Sequence, residues 1–359
     1  MPENINTPEA VVAGLTRRGY LLDLNVSRWA GQARLTEADL GLEGLTDSDL
    51  HRLGRRQLVP AEELAKVIRH EARARSAVSD VSYTFPLGGA RFVPVKMLGG
   101  LLARLDSIRG DFMAAVEEFC AHYGQMSAHT RADWRANALR IKAKLGKDDA
   151  WLSDFEARLA TAYPSVEKVR AAFSLNWGLY QFALPRGLQA QVVNAADAVE
   201  AGRLANEAKR RVEAQVSAFV GEAAVELRSR ASELCRHVAQ QISKSGDKVS
   251  ERTLEPLREM IAQFRQLDFT GDAGFAADLD KLQKEWLGNN KGTGIARDLR
   301  ESADYRKAMT DALSAVADGA VAKSEQAASE ALDRFLRMGG AGRAVVVSEE
   351  AEAGAEVGA

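Results

Sequence analysis

The sequence predicts a mainly α protein: an elongated antiparallel helical hairpin or coiled-coil bundle with a small N-terminal α+β part. Three observations carry that prediction. From Ala195 to Lys244 there is no proline, and Val199, Leu204, Val212, Val216, Phe219, Ala223, Leu227, Leu234, Val238 and Ile242 recur, mostly three or four residues apart from Val212 on. That spacing keeps one helix face apolar. From Lys96 to Tyr123, Leu98, Leu101, Leu105, Ile108, Phe112, Val116, Phe119 and Tyr123 advance by three or four throughout, a mean step near the coiled-coil value. Near the N-terminus the pattern changes to strict alternation in Tyr20–Val26 (YLLDLNV), the mark of a half-buried strand.

The bulk properties agree. The chain has 359 residues, enough for two or three domains. Aromatic residues make up 6%, and alanine is abundant in the second half, which suits helices better than sheets. A net charge of −2 gives no strong overall pull toward nucleic acid or anionic lipid.

Taken in order, residues 1–18 read as a polar lead-in with a helical turn or two after Pro8. In the first strand Leu22, Leu24 and Val26 share one face. Thr36 and Thr46 are candidate N-caps, with Asp39 and Asp49 three positions on. A helix is expected from Pro60 to about Ala77. Val81–Val95 holds two strand-like runs around Leu87–Gly88–Gly89. Pro86 and Pro94 cannot donate to a ladder, so these are expected as edge strands in a sheet of three.

The helix from Lys96 is the expected partner of the 195–244 rod. A rod of roughly 75 Å, at about 1.5 Å per residue, cannot be buried in one compact core and must lie against other helices. Shorter helices at 130–145, 148–162 and 165–175, with the aromatic stretch Phe173–Leu184, would form a tip subdomain of the hairpin. After a break at Ser245–Asp247, a helix is expected at 250–267, with Pro256 marking a kink or the start. The loop Asp268–Gly274 (DFTGDAG), a short helix to Leu287, a loop at Gly288–Gly294 and one last helix from Ile295 to Met338 complete the order. The expected division is 1–95, 96–249 with its tip at 125–194, 250–338, and a disordered tail at 339–359. No internal repeat is present.

Candidate chemistry is sparse. Gly288–Gly294 (GNNKGTG) has glycines, Lys291 and Thr293, but lacks the lysine-hydroxyl order and the preceding strand of a P-loop. Cys120, His122 and His129 lack a fourth metal ligand, and residues two apart on a helix point in different directions. Asp268, Asp272 and Asp278 are too irregular for a calcium loop. No cofactor is expected. Cys120 and Cys235 read as reduced, buried thiols. The first sixteen residues lack a basic region followed by an apolar core, and no apolar stretch approaches the length of a membrane span, so a cytoplasmic protein is expected.

Two surfaces stand out. Phe173, Trp177, Tyr180 and Phe182 form an aromatic patch that would be a partner surface if exposed. Arg55, Arg56, Lys66, Arg69 and Arg73, within a basic stretch from His51 to Arg75, form a candidate anion or nucleic-acid face. An apolar stripe on the rod not covered within the chain would seek a second copy.

Two blocks carry a family resemblance: Leu21–Leu42 (LLDLNVSRWAGQARLTEADLGL) with Leu53–Arg56, and Val249–Asp272 (VSERTLEPLREMIAQFRQLDFTGD). With the hairpin Phe85–Val95 they resemble an uncharacterised family of bacterial and phage proteins, over roughly residues 20–290. Members are often encoded near MoxR-type AAA+ ATPases and von Willebrand A-domain proteins, which implies a partner of those classes, not an activity, and brings no established catalytic residues to carry across. The expectation is a non-enzymatic interaction or adaptor protein; the alternative is a nucleic-acid-associated protein of a phage or mobile element acting through the 51–75 face.

Overall fold

The computed structural model describes residues 8–42, 53–86, 89–181, 195–245, 248–288 and 294–340. The protein is mainly α with a small α+β part. It forms two compact units, one from residues 20–180 and one from 1–19 with 181–359. The expectations at Thr46, at the Leu87–Gly88 turn, at Gly246–Asp247, at 289–293 and beyond residue 340 lie outside the described residues.

The 20–180 unit is built on a four-stranded sheet and one long helix. Strand β1 (Gly19–Ser27) alternates as expected, with Leu22 fully buried. Strands β4 (Tyr83–Thr84) and β5 (Arg91–Pro94) form the anticipated antiparallel hairpin. The sheet order is β4-β5-β1-β6, where β6 is Ser174–Tyr180. Two expectations change here. Strand β5 is internal, because Pro94 is its last residue, where the ladder gives way to a helix and no N–H is needed. The sheet also has a fourth strand: β6 pairs antiparallel with β1, from Leu21 opposite Tyr180 to Ser27 opposite Ser174. Within the stretch expected at a helical tip, Ser174–Tyr180 is instead part of the N-terminal sheet.

Helix α3 (Ala61–Asp80) starts after Pro60 and packs on helix α4 (Val95–Leu145). In α4 the stripe Leu101, Leu105, Ile108, Phe112, Val116, Phe119 and Tyr123 is buried. The helix runs on through Gly124, where a break was expected. Nothing lies within 4 Å of a Cβ built at that glycine, and a single helical glycine costs only about 1 kcal/mol relative to alanine. Helices α5 (Asp149–Ala162) and α6 (Val166–Ala171) are capped by Asp148 and Ser165. Short elements α2 (Glu37–Leu40), β2 (Gln32–Arg34) and β3 (Arg55–Gln57) sit on a cluster of Leu58, Ala138, Trp151, Phe155, Leu159 and Tyr163. Polar tips tie them there: Trp134 Nε1 donates to the Gln57 carbonyl at 2.7 Å, Trp151 Nε1 to Ala38 at 3.0 Å, and Thr130 Oγ1 to Leu58 at 2.7 Å. Thr36 and Asp39 form the expected capping box.

The other unit is organised by helix α7 (Ala195–Ser245). Its stripe of Val216, Phe219, Val220, Ala223, Ala224, Leu227, Ala231, Cys235, Val238, Ala239 and Ile242 is buried. The cover comes from α8 (Glu251–Leu267), α11 (Ala303–Ala322), α12 (Ser324–Gly340) and α1 (Pro8–Arg18). The expected hairpin partner, α4, packs chiefly on α3, α5 and α6 in its own unit. The reason is chemical: α11 and α12 supply alanine-rich faces that let backbones approach α7 closely. Ser232 Oγ donates to the Ala317 carbonyl at 3.0 Å, and a Cβ built at Gly221 would stand 3.3 Å from the Ala328 carbonyl oxygen.

The last helical stretch is three helices rather than one. Helix α10 (Ile295–Glu301) stops at Ser302, which caps α11 through the Tyr305 N–H, and α11 stops at Lys323. Helix α8 begins at Glu251, five residues before Pro256, so proline does not mark its start. Helix α9 (Ala273–Leu282) continues into a π turn, Gln283–Leu287. Among the described residues no helix is long and apolar enough to cross a membrane.

Two glycine substitutions are expected to act in opposite directions. Gly221→Leu would force α7 and α12 apart and cost about 1–3 kcal/mol. Gly124→Ala, in open space on α4, would stabilise by about 0.5–1 kcal/mol. Urea unfolding of each variant checks both signs.

Candidate functional site

The basic face is largely neutralised by its neighbours. Lys66 pairs with Glu63 at 2.7 Å, Arg73 with Asp111 at 2.9 Å and Arg75 with Glu71 at 2.9 Å. Arg56 is not on that face at all. Strand β3 turns it inward, where it is buried and lies 3.5 Å from the Asp39 carboxylate, which Arg158 also reaches at 3.2 Å. Burial pushes the Asp39 carboxyl up, but bonds from Thr36, the charge of Arg56 and a bond from Arg158 hold it below the usual range. Only Arg55 and Arg69 of the five candidates are exposed with no carboxylate partner among the described residues. His51 and Arg52 lie outside those residues.

Between Arg69 and Arg73, the His70 ring is buried. Arg73 Nη1 lies 3.1 Å from its Nδ1 and Arg69 Nε donates to Nε2 at 3.4 Å, while Asp111 on α4 is the facing carboxylate. A protonated ring has no acceptor for either guanidinium. Burial first, then the charges of Arg69 and Arg73, lower its pKa.

The aromatic patch divides. Phe173 is core, edge-to-face with Phe112 and Phe119 at 6.3 and 6.0 Å. Trp177 is half-buried beneath the Arg109 guanidinium, 4.8 Å from its ring centre. Tyr180 is 56% exposed, and its neighbour Leu179, absent from the sequence-derived set, is 40% exposed. Phe182 lies outside the described residues. The strand therefore buries Leu175 and presents Leu179 and Tyr180, at the outer edge of the sheet. Alternation could have flagged Leu179, which shares a face with Leu175 and Trp177.

The remaining candidates have structural roles. Cys120 is buried, and burial raises its thiol pKa; His122 and His129 are exposed on α4. Among the described residues no group of three or more His, Cys, Asp or Glu side chains is placed to hold a metal. Burial pushes the Cys235 thiol up to about 12. At the start of α10 the Ala296 N–H donates to Glu251 Oε1 at 3.2 Å, so an internal carboxylate takes that position. Asp268 spends both oxygens on its own loop, accepting from the N–H groups of Thr270, Gly271 and Asp272.

Asp272 caps α9 through the Phe275 N–H and meets Arg228 of α7 in a two-pronged pair, 2.6 and 2.9 Å, with both residues nearly out of water at 2% and 6% exposure. Burial pushes its carboxyl up, but Arg228 and the Phe275 N–H hold it below the usual range.

Two measurements test these assignments. Asp272→Asn keeps the cap but strands the Arg228 charge, at an expected cost of about 3–5 kcal/mol. Adding Arg228→Met to it should recover part of that loss in urea unfolding; strictly additive losses would contradict the pairing. For His70, the folded pKa lies below the unfolded value of about 6.5, so the unfolded chain takes up the proton first as pH falls. Its contribution is fully present above about pH 6.5 and is lost as pH drops through the folded pKa. His70→Gln should flatten the urea midpoint over that window.

No curated protein and no solved structure matches the chain. A family model, described as a protein of unknown function (DUF3150), matches residues 17–273, from the end of α1 to the residue after Asp272. That span holds β1, the hairpin, α4, β6, α7 and the Asp268–Asp272 loop, and the chain belongs to the DUF3150 family.

Proposed function

We propose that this protein works by contact rather than by catalysis, as an interaction or adaptor protein of the cytoplasm whose docking surface is the outer edge of β6. One observation carries the reading: an uncharged edge strand that presents Leu179 and Tyr180 to solvent. Exposed apolar side chains on a strand with unpaired backbone groups favour association with another chain. The partner class we assign is an AAA+ ATPase or a von Willebrand A-domain protein of bacteria or phage; its support is the resemblance carried by Leu21–Leu42 and Val249–Asp272.

The nucleic-acid reading is weaker. Among the described residues Arg55 and Arg69 are the exposed cations of that face with no carboxylate partner, and two phosphate contacts would give a salt slope of only about −2.

Affinity capture with the full chain tests the contact reading. Leu179→Lys changes an exposed position and should leave the unfolding midpoint nearly unchanged. It should weaken binding of the captured partner by at least about tenfold, equivalent to about 1.4 kcal/mol. Equal capture by both proteins would contradict the assignment.

A further inference from the structure

In the ribbon of β2 and β3, Gln32 stands opposite Gln57, Ala33 opposite Arg56 and Arg34 opposite Arg55. The ladder is bracketed by the Leu58 N–H donating to the Gly31 carbonyl at 2.9 Å and the Leu35 N–H donating to the Gly54 carbonyl at 3.1 Å. Hydrogen-bonded and non-hydrogen-bonded pairs alternate along an antiparallel ladder, so Ala33–Arg56 is a bonded pair and Arg34–Arg55 is not. At a non-bonded pair the Cα atoms are about 4.5 Å apart and the side chains are at their closest. Ala33 and the buried Arg56 form the inner face of the ribbon; Gln32, Arg34, Arg55 and Gln57 form the outer face, and all four are exposed.

Like charges directly opposite on a ladder repel and destabilise it. Elsewhere in the same unit the arginines have acids: Arg28 has Glu71 at 3.4 Å, Arg135 has Glu156 at 2.6 Å, and Arg158 and Arg56 share Asp39 at 3.2 and 3.5 Å. Among the described residues neither Arg34 nor Arg55 has a carboxylate partner or a side-chain hydrogen bond. Two guanidinium groups are thus held side by side on an open face with nothing from the chain between them. A Cβ built at Gly54, next to Arg55, meets nothing within 4 Å.

We propose that Arg34 and Arg55 together hold one phosphomonoester, a phosphorylated side chain of a protein partner. Charge selects the ligand. Such a group carries about −1.5 to −2 at pH 7 and three strong acceptor oxygens, which matches two guanidinium forks. A single carboxylate would leave one cation uncompensated. The neighbouring rung selects against nucleic acid and for a peptide. Two residues along the strands, about 7 Å away, Gln32 and Gln57 offer amide groups and no charge. The next phosphate of a polynucleotide would find no cation there, whereas the backbone of an extended peptide finds a donor and an acceptor. A free phosphate ion would gain the two arginines alone, in a water-exposed setting where ion pairs contribute little. This site is separate from the edge of β6 and does not depend on it.

Fluorescence anisotropy with the full chain and a labelled glycine-flanked phosphoserine peptide tests the site. The peptide should bind at least about tenfold more tightly than its serine and glutamate counterparts, the step expected when a charge-assisted pair of arginine contacts is gained. Arg34→Gln and Arg55→Gln should each remove that preference. Both positions are exposed, and each change relieves the repulsion between the two arginines, so the urea midpoint without peptide should hold or rise; that control separates a lost site from a lost fold. Equal binding of the phosphoserine and glutamate peptides, or a preference that survives both substitutions, overturns the proposal. Inorganic phosphate that competes as strongly as the peptide overturns the assignment to a side chain of a partner, and a single-stranded oligonucleotide that binds more tightly than the peptide overturns it in favour of nucleic acid.

Discussion

Helix α7 is apolar along one face from Val216 to Ile242, and a helix of that kind is stable in water only when the face is covered. The chain supplies the cover itself. Helices α11 and α12 run along α7 with alanines at the contact, and α8 packs beside them. Phe219, Phe269 and Phe335 meet ring to ring at 5.8 and 6.2 Å. The Arg228–Asp272 pair then fixes where the Asp268–Asp272 loop lies on α7. Arg18, at the end of α1, donates to the Phe269 carbonyl at 3.3 Å and lies over the Phe335 ring, so residues from both ends of the described chain close on the same cluster.

This arrangement moves the question of contact away from the long helix. A stripe satisfied within the chain offers no apolar face to another molecule over Val216–Ile242, whereas the second half of β6 does. The family match spans α7 and the Asp268–Asp272 loop but stops before α11 and α12. The segments that cover most of the stripe thus lie outside the matched span, while β6 and its partner β1 lie inside it.

Much of the local structure was legible in the residues. The alternation of Tyr20–Val26, the three-and-four spacing of α4 and α7, and the caps at Thr36 and Asp148 all report backbone geometry directly. Long-range choices were less visible. Helices α4 and α7 carry similar stripes, and spacing alone cannot say which faces meet; small residues such as Gly221, Ala317 and Ala328 decided it. Strand β6 was hidden because Gly178 interrupts its pattern and its aromatic residues suit a buried helix equally well. Arg56 was misplaced on the basic face because its direction depends on a short strand opposite Ala33 rather than on helical spacing. The break at Ser302 carried a readable signal, a capping serine followed by Asp304, inside an otherwise continuous helical pattern.

Hydrogen exchange on the full chain at two concentrations tests the central claim most directly. The account predicts that the α7 amides from Val216 to Ile242 are slow at both, while every second amide of β6 exchanges fast in dilute protein. An α7 that exchanges fast until the protein is concentrated, with β6 protected throughout, would contradict it.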